Sequence, residues 1–145
     1  ALYQTGGWYL DVDVEVTRDF RLLAKRMQYE TLLTVIPAWQ PATSYFQAIM
    51  GVTCPRDRTI RKYLWMFVNH TPQNRDENTG TLLLREAVLA TKAHVYELYE
   101  SRGSLTFQGK RSRFTGKGYW CDNVVYDKHY GDIWFYSRVQ GSRMC

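Results

Sequence analysis

Between Trp8 and Thr17 the chain alternates strictly. Trp8, Leu10, Val12, Val14 and Val16 interleave with Tyr9, Asp11, Asp13, Glu15 and Thr17. A period of two places the first set on one face of a β-strand and three carboxylates on the other. A strand of this kind belongs to a sheet with one covered and one solvated face, which favours antiparallel pairing. Three acids two residues apart could attract a divalent cation, but no fourth ligand cluster accompanies them. Pairing with a basic neighbour strand, such as one carrying Lys110, Arg111 and Arg113, is the expected use of that face.

Thr17 is positioned to cap a following helix with Asp19 in its first turn. Phe20, Leu23, Met27 and Thr31 follow helical spacing, while Arg18, Arg21, Lys25 and Arg26 fall on other faces. The helix is therefore amphipathic with a cationic side, whose bases also read as merely solvated. Thr31 to Pro55 holds no charged residue. Its prolines exclude a spanning helix, and Ala42 to Val52 reads as a short helix or buried strand. A hydrophobic loop containing Pro37, Trp39 and Pro41 is a candidate partner or self-association contact.

Arg56 to Lys62 carries Arg58, Arg61 and Lys62, and Tyr63 to Val68 suits a strand. Residues 69–81 are polar and rich in turn formers, which predicts a flexible loop. A short apolar element from Leu82 and a strand reaching Tyr99 come next, then strands at Leu105–Phe107, Tyr119–Asp127 and Ile133–Val139. Lys128 to Asp132 reads as a hairpin turn with Gly131 at a positive φ. The resulting expectation is one α+β domain over residues 1–145, an antiparallel sheet packed against two or three helices with a strand-rich C-terminal half.

The 145 residues carry 19 Lys+Arg against 14 Asp+Glu. The whole excess of +5 equals the charge of Ser101 to Lys117, where Arg102, Lys110, Arg111, Arg113 and Lys117 meet no acid. Such a segment raises the local concentration of an anionic partner, lipid headgroup or phosphate backbone. Nine aromatics between Phe107 and Tyr136 adjoin it, as base-stacking platforms do in single-strand RNA binders. Arg18, Arg21, Lys25, Arg26, Arg58, Arg61 and Lys62 form a secondary basic surface. The three cysteines have no recurring spacing, which gives no disulfide framework and favours an intracellular, reducing setting. The N-terminus lacks a basic n-region, so no signal peptide is expected.

Catalytic motifs are lacking: there is no GxSxG, HExxH, GxxxxGK[ST] or GxGxxG. His70, His94 and His129 stand alone, so no metal site is expected. Cys121 beside Trp120 reads as a core residue, not as a nucleophile served by His129. Asp122, Asp127 and Asp132 recur around one hairpin and suit turn capping and charge balance better than paired acid–base work. No enzyme, cofactor or small-molecule substrate follows.

The order of elements suggests a family. A strand ending at Arg18-Asp19-Phe20-Arg21, an amphipathic helix, Ser44 to Ile49 after a proline loop, and a closing hairpin with Gly118 and Gly131-Asp132-Ile133-Trp134 resemble the core of rhabdovirus-type matrix proteins. The resemblance is one of pattern over most of the chain. It implies a non-enzymatic viral structural protein that self-associates, binds anionic membrane and condenses ribonucleoprotein. The sequence has neither the PPxY motif nor the lysine-rich arm that usually precede that core. An RNA-binding regulatory protein using the same bases and aromatics is the alternative. Third, Gly118, Trp120, Asp122 and Phe135 to Arg138 look like the last strands of NTF2-like cone folds, which imply a deep ligand pocket.

Overall fold

The computed structural model describes residues 1–37, 44–70, 79–102, 104–107, 110–113 and 122–138. Among the described residues, four helices and nine strands make an α+β fold. They are α1 (Leu2–Thr5), β1 (Gly7–Leu10), β2 (Val14–Val16), α2 (Phe20–Arg26), β3 (Leu32–Ile36), β4 (Phe46–Val52), α3 (Arg58–Asn69), α4 (Thr79–Thr91), β5 (Val95–Arg102), β6 (Ser104–Phe107), β7 (Lys110–Arg113), β8 (Asp122–Tyr126) and β9 (Ile133–Arg138). Seven strands form one sheet in the order β1-β4-β3-β5-β8-β9-β2. Every pairing in it is antiparallel except β3 with β5.

The alternating stretch at the N-terminus is not one strand. It divides into β1 and β2, which occupy the two opposite edges of the sheet. Six strand-to-strand steps would separate the edges of a flat sheet by about 29 Å. Yet Asp11 to Asp13 alone connect Leu10 to Val14, a reach of at most about 14 Å. The connection is tighter still, because Val14 N donates to the Asp11 carbonyl at 3.1 Å. The sheet must therefore curl until its edges meet.

The core confirms the curl. Trp8 and Leu10 from one edge and Val14 from the other pack on a single cluster with Leu33, Val35, Ile49, Leu98, Val125, Trp134 and Phe135. Leu23 of α2 and Met27, its C-cap, fill the concave side of that cluster. Along β3, Leu33 and Val35 face this interior, while Leu32 and Ile36 point the other way. On the convex face Leu32, Tyr45, Met50 and Val52 meet Ile60 of α3 and Leu84 and Val88 of α4.

Several sequence expectations are corrected. Thr17 does not cap α2: its hydroxyl donates to the Ile133 carbonyl at 2.8 Å, and Asp19 is the N-cap, accepting from Arg21 N at 2.9 Å. The helix stops at Arg26, so Thr31 lies beyond it. Tyr63 to Val68 belongs to helix α3, because Ile60, Tyr63 and Phe67 recur at helical spacing and Asp57 caps the start. The expected loop at 69–81 is shorter at both ends: Asn69 closes α3 and Thr79 opens α4, with 71–78 outside the described residues. What reads as a short apolar element from Leu82 is a 13-residue helix. The strand that carries Glu15 pairs with β9 and not with β7, whose partner is β6 in a separate two-stranded sheet. The hairpin turn at Lys128–Asp132 forms as expected, with Gly131 at φ 72°.

Candidate anion-binding face

Helix α3 begins where Asp57 Oδ1 accepts from Thr59 N at 2.8 Å and Ile60 N at 2.9 Å. That cap satisfies two of the donors a helix start leaves open. Ile60 and Tyr63 then turn toward the sheet and α4. With 3.6 residues per turn, Arg58, Arg61, Lys62, Trp65 and Val68 are left on the opposite side. The N-terminal half of this outer face is cationic and the C-terminal half apolar: Leu64, Trp65 and Val68 are 43%, 59% and 75% exposed.

An open groove of about 520 Å³ runs between α3 and the end of α4, lined by Arg58, Arg61, Lys62, Trp65, Ala90 and Thr91. Arg58 Nη2 donates to the Thr91 carbonyl at 2.7 Å, which answers one of the carbonyls that α4 leaves unbonded at its C-terminus. Lys62 Nζ lies 4.5 Å from the centroid of the Trp65 ring, a cation–π contact. Among the described residues, no carboxylate lies within ion-pair distance of Arg58, Arg61 or Lys62.

The other predicted basic surface is arranged differently. Arg18 pairs with Asp132 at 3.0 Å, Arg21 with Asp19 at 2.6 Å, and Arg26 with Asp127 at 2.9 Å and Asp132 at 2.5 Å. Hydrogen bonds from Arg21 hold the Asp19 carboxyl below its ordinary range. Arg26 also stacks over Tyr130 and Trp134, at 4.1 and 5.1 Å from the ring centroids. These arginines bind the protein's own hairpin or cap and leave little free charge on α2 beyond Lys25, which is exposed. Asp127 and Asp132 therefore balance charge and hold the turn: Asp127 also accepts from His129 N at 2.9 Å.

Of the segment richest in bases, Arg102 closes β5, while Lys110, Arg111 and Arg113 sit in β7 opposite Phe107, Thr106 and Ser104. Lys117 lies outside the described residues, as do Trp39 and Pro41. Pro37 follows β3 and is buried, so it offers no exposed contact. Sequence reasoning missed Trp65, Ala90 and Thr91 as groove residues. The spacing Arg58, Arg61, Lys62, Trp65 was the available signal, hidden by assigning the run after Lys62 to a strand.

A second polar cluster lies on the convex face. Tyr45 OH donates to Glu97 Oε1 at 2.5 Å, Tyr99 OH donates to Glu97 Oε2 at 3.3 Å, and Arg85 sits 3.7 Å from Glu97. Burial first, then the bond to Glu97, pushes the Tyr45 phenol well above its ordinary value. At neutral pH it is a fixed donor, not a nucleophile. The described residues include no group of three or more His, Cys, Asp or Glu placed to hold a metal. Nor do they include a helix long and apolar enough to cross a membrane. Comparison with protein-family models, curated proteins and solved structures finds no match to this chain.

Proposed function

We propose that this protein is a non-catalytic, matrix-like assembly module that seats on an anionic membrane surface through the outer face of α3. One observation carries the reading: three cations without carboxylate partners among the described residues run directly into exposed Leu64, Trp65 and Val68 on the same helix. Interfacial helices use this combination, bases toward the headgroups and Trp or Leu toward the acyl boundary. Each base near an anionic leaflet adds about 1 kcal/mol. Leu89 on the neighbouring α4 is also exposed, at 62%. Lys110, Arg111 and Arg113 on β7 offer a second cationic element.

Single-strand RNA is the second reading, favoured by the exposed Trp65 ring beside Lys62. Exposed Leu64, Val68 and Leu89 have no role in it, which is why the membrane reading comes first. A ligand-binding cone is less well supported, since Leu23, Met27, Trp134 and Phe135 occupy the concave face where its pocket would lie. The test is sedimentation with anionic vesicles at low salt, comparing wild type with R58E/R61E/K62E and K110E/R111E/R113E. The α3 variant should lose most binding. Wild-type binding by that variant removes the α3 face from the mechanism. Tight, steeply salt-dependent RNA binding without vesicle binding transfers the function to the second reading.

A further inference from the structure

We infer that the groove between α3 and α4 recognises a phosphomonoester headgroup carried by a lipid, beyond attracting negative surface in general. The inference rests on the membrane reading above. It names which headgroup the site selects.

The charge of the groove matches such a group. Arg58, Arg61 and Lys62 line one groove with no described carboxylate to offset them. A phosphatidylserine headgroup brings a single negative phosphodiester, a carboxylate and an ammonium, and three clustered cations repel that ammonium. A phosphomonoester brings about −1.5 to −2 charges and three acceptor oxygens with no cation attached. Guanidinium forks meet such oxygens in pairs, so the two arginines suit this group better than they suit a diffuse field.

Two of the three cations are already held in place. Arg58 is anchored on the Thr91 carbonyl at 2.7 Å through one Nη atom, which leaves its other N–H groups to bind. Lys62 rests against the Trp65 ring. Thr59 and Thr91 hydroxyls, 2.9 Å apart, tie the two helices together under the groove. Less side-chain entropy is lost on binding to a site arranged in advance. Its volume of about 520 Å³ falls within the range of small-ligand sites, about 300–1,000 Å³.

From Arg58 to Val68 the outer face of α3 extends about 15 Å along the membrane plane. Trp65 belongs to the apolar half of this face and touches Lys62 of the cationic half, and tryptophan side chains settle at the headgroup boundary. With Trp65 and Val68 at the surface of the bilayer, the groove opens at headgroup level.

The test uses the full chain with phosphatidylcholine vesicles containing either phosphatidylserine or phosphatidylinositol bisphosphate at matched surface charge. The expected result is about tenfold tighter partitioning to the bisphosphate vesicles, equivalent to about 1.4 kcal/mol. Soluble inositol trisphosphate should compete for that increment, and R61Q/K62Q should erase it. Equal partitioning at matched charge overturns the inference and leaves the membrane reading standing. Failure to bind either anionic vesicle or soluble inositol trisphosphate overturns both. Binding of soluble inositol trisphosphate without any vesicle binding overturns the lipid source and makes the site one for a free phosphate compound.

Discussion

The Asp127 carboxylate is wholly buried and receives the Arg26 guanidinium at 2.9 Å, joining α2 to the turn between β8 and β9. Tyr96 OH donates to the same carboxylate at 2.5 Å, so one side chain connects a helix, a central strand and the hairpin. Removing it leaves a half-buried guanidinium with Asp132 alone and a phenol without its acceptor. Asp127→Ala should therefore cost about 2–4 kcal/mol of stability, measured by urea unfolding. Asp127→Asn, which keeps the shape and an acceptor for Tyr96, should lose less. An alanine variant within about 0.5 kcal/mol of wild type would show that the charge network adds nothing.

The curl of the sheet was only half legible in the sequence. Alternation from Trp8 identified strand conformation and the buried face, because period two depends on local geometry alone. The break at Asp11 to Asp13 has neither glycine nor proline, and its two aspartates, which favour turns, fall in register with the alternation and so read as a polar strand face. Its consequence, β1 and β2 on opposite edges, is set by distant partners: Met50 and Ile49 for one, Tyr136 and Phe135 for the other. The candidate site was obscured by a related ambiguity. Tyr63 to Val68 is aromatic and aliphatic on every side, so propensity favours a strand. Only the cap at Asp57 and the stripe of Ile60, Tyr63 and Phe67 reveal the helix, and the leftover apolar face is the part left exposed.

Trp8 lies across Gly51, its direct partner in the β1–β4 register. A Cβ on Gly51 would sit 2.7 Å from Trp8 Cζ3 and 3.0 Å from Cε3. The indole also packs on the interior cluster, so it has little room to retreat. Gly51→Ala should destabilise the fold by about 1–3 kcal/mol. In a Trp8→Leu background the same change should cost much less, giving a coupling visible in a double-mutant cycle. Additive effects would show that the ring is not the obstacle.

Alkaline pH should unfold this protein earlier than its arginines and lysines alone would. Tyr9 is pushed up to about 12 from an ordinary 10.0, mainly by its hydrogen bond to Asp11. Tyr45 and Tyr96 are raised by burial, then by bonds to Glu97 and Asp127. In each case the folded state keeps a proton that the unfolded state releases near pH 10. Stability from these phenols is thus complete below about pH 10 and falls as pH rises toward their folded values. Phenolate absorbance should lag behind that of free tyrosine and then rise together with loss of circular dichroism. Free titration of all tyrosines near pH 10 in a still-folded protein would contradict these contacts.

Trp65 separates binding from folding most cleanly. Its ring is 59% exposed and its described contacts are with Lys62 and the groove, so Trp65→Ala should shift stability by no more than about 0.5 kcal/mol. If α3 rests on a bilayer, the same variant should partition to anionic vesicles about tenfold more weakly, a loss of about 1.4 kcal/mol. Fluorescence provides an independent check. The wild-type minus variant emission isolates Trp65 from the other tryptophans, and it should move to shorter wavelength on vesicle addition as the indole leaves water. Trp65→Phe, which keeps an aromatic ring, should recover part of the binding. Reduced binding without any spectral shift would place Trp65 outside the bilayer boundary and confine its role to holding Lys62.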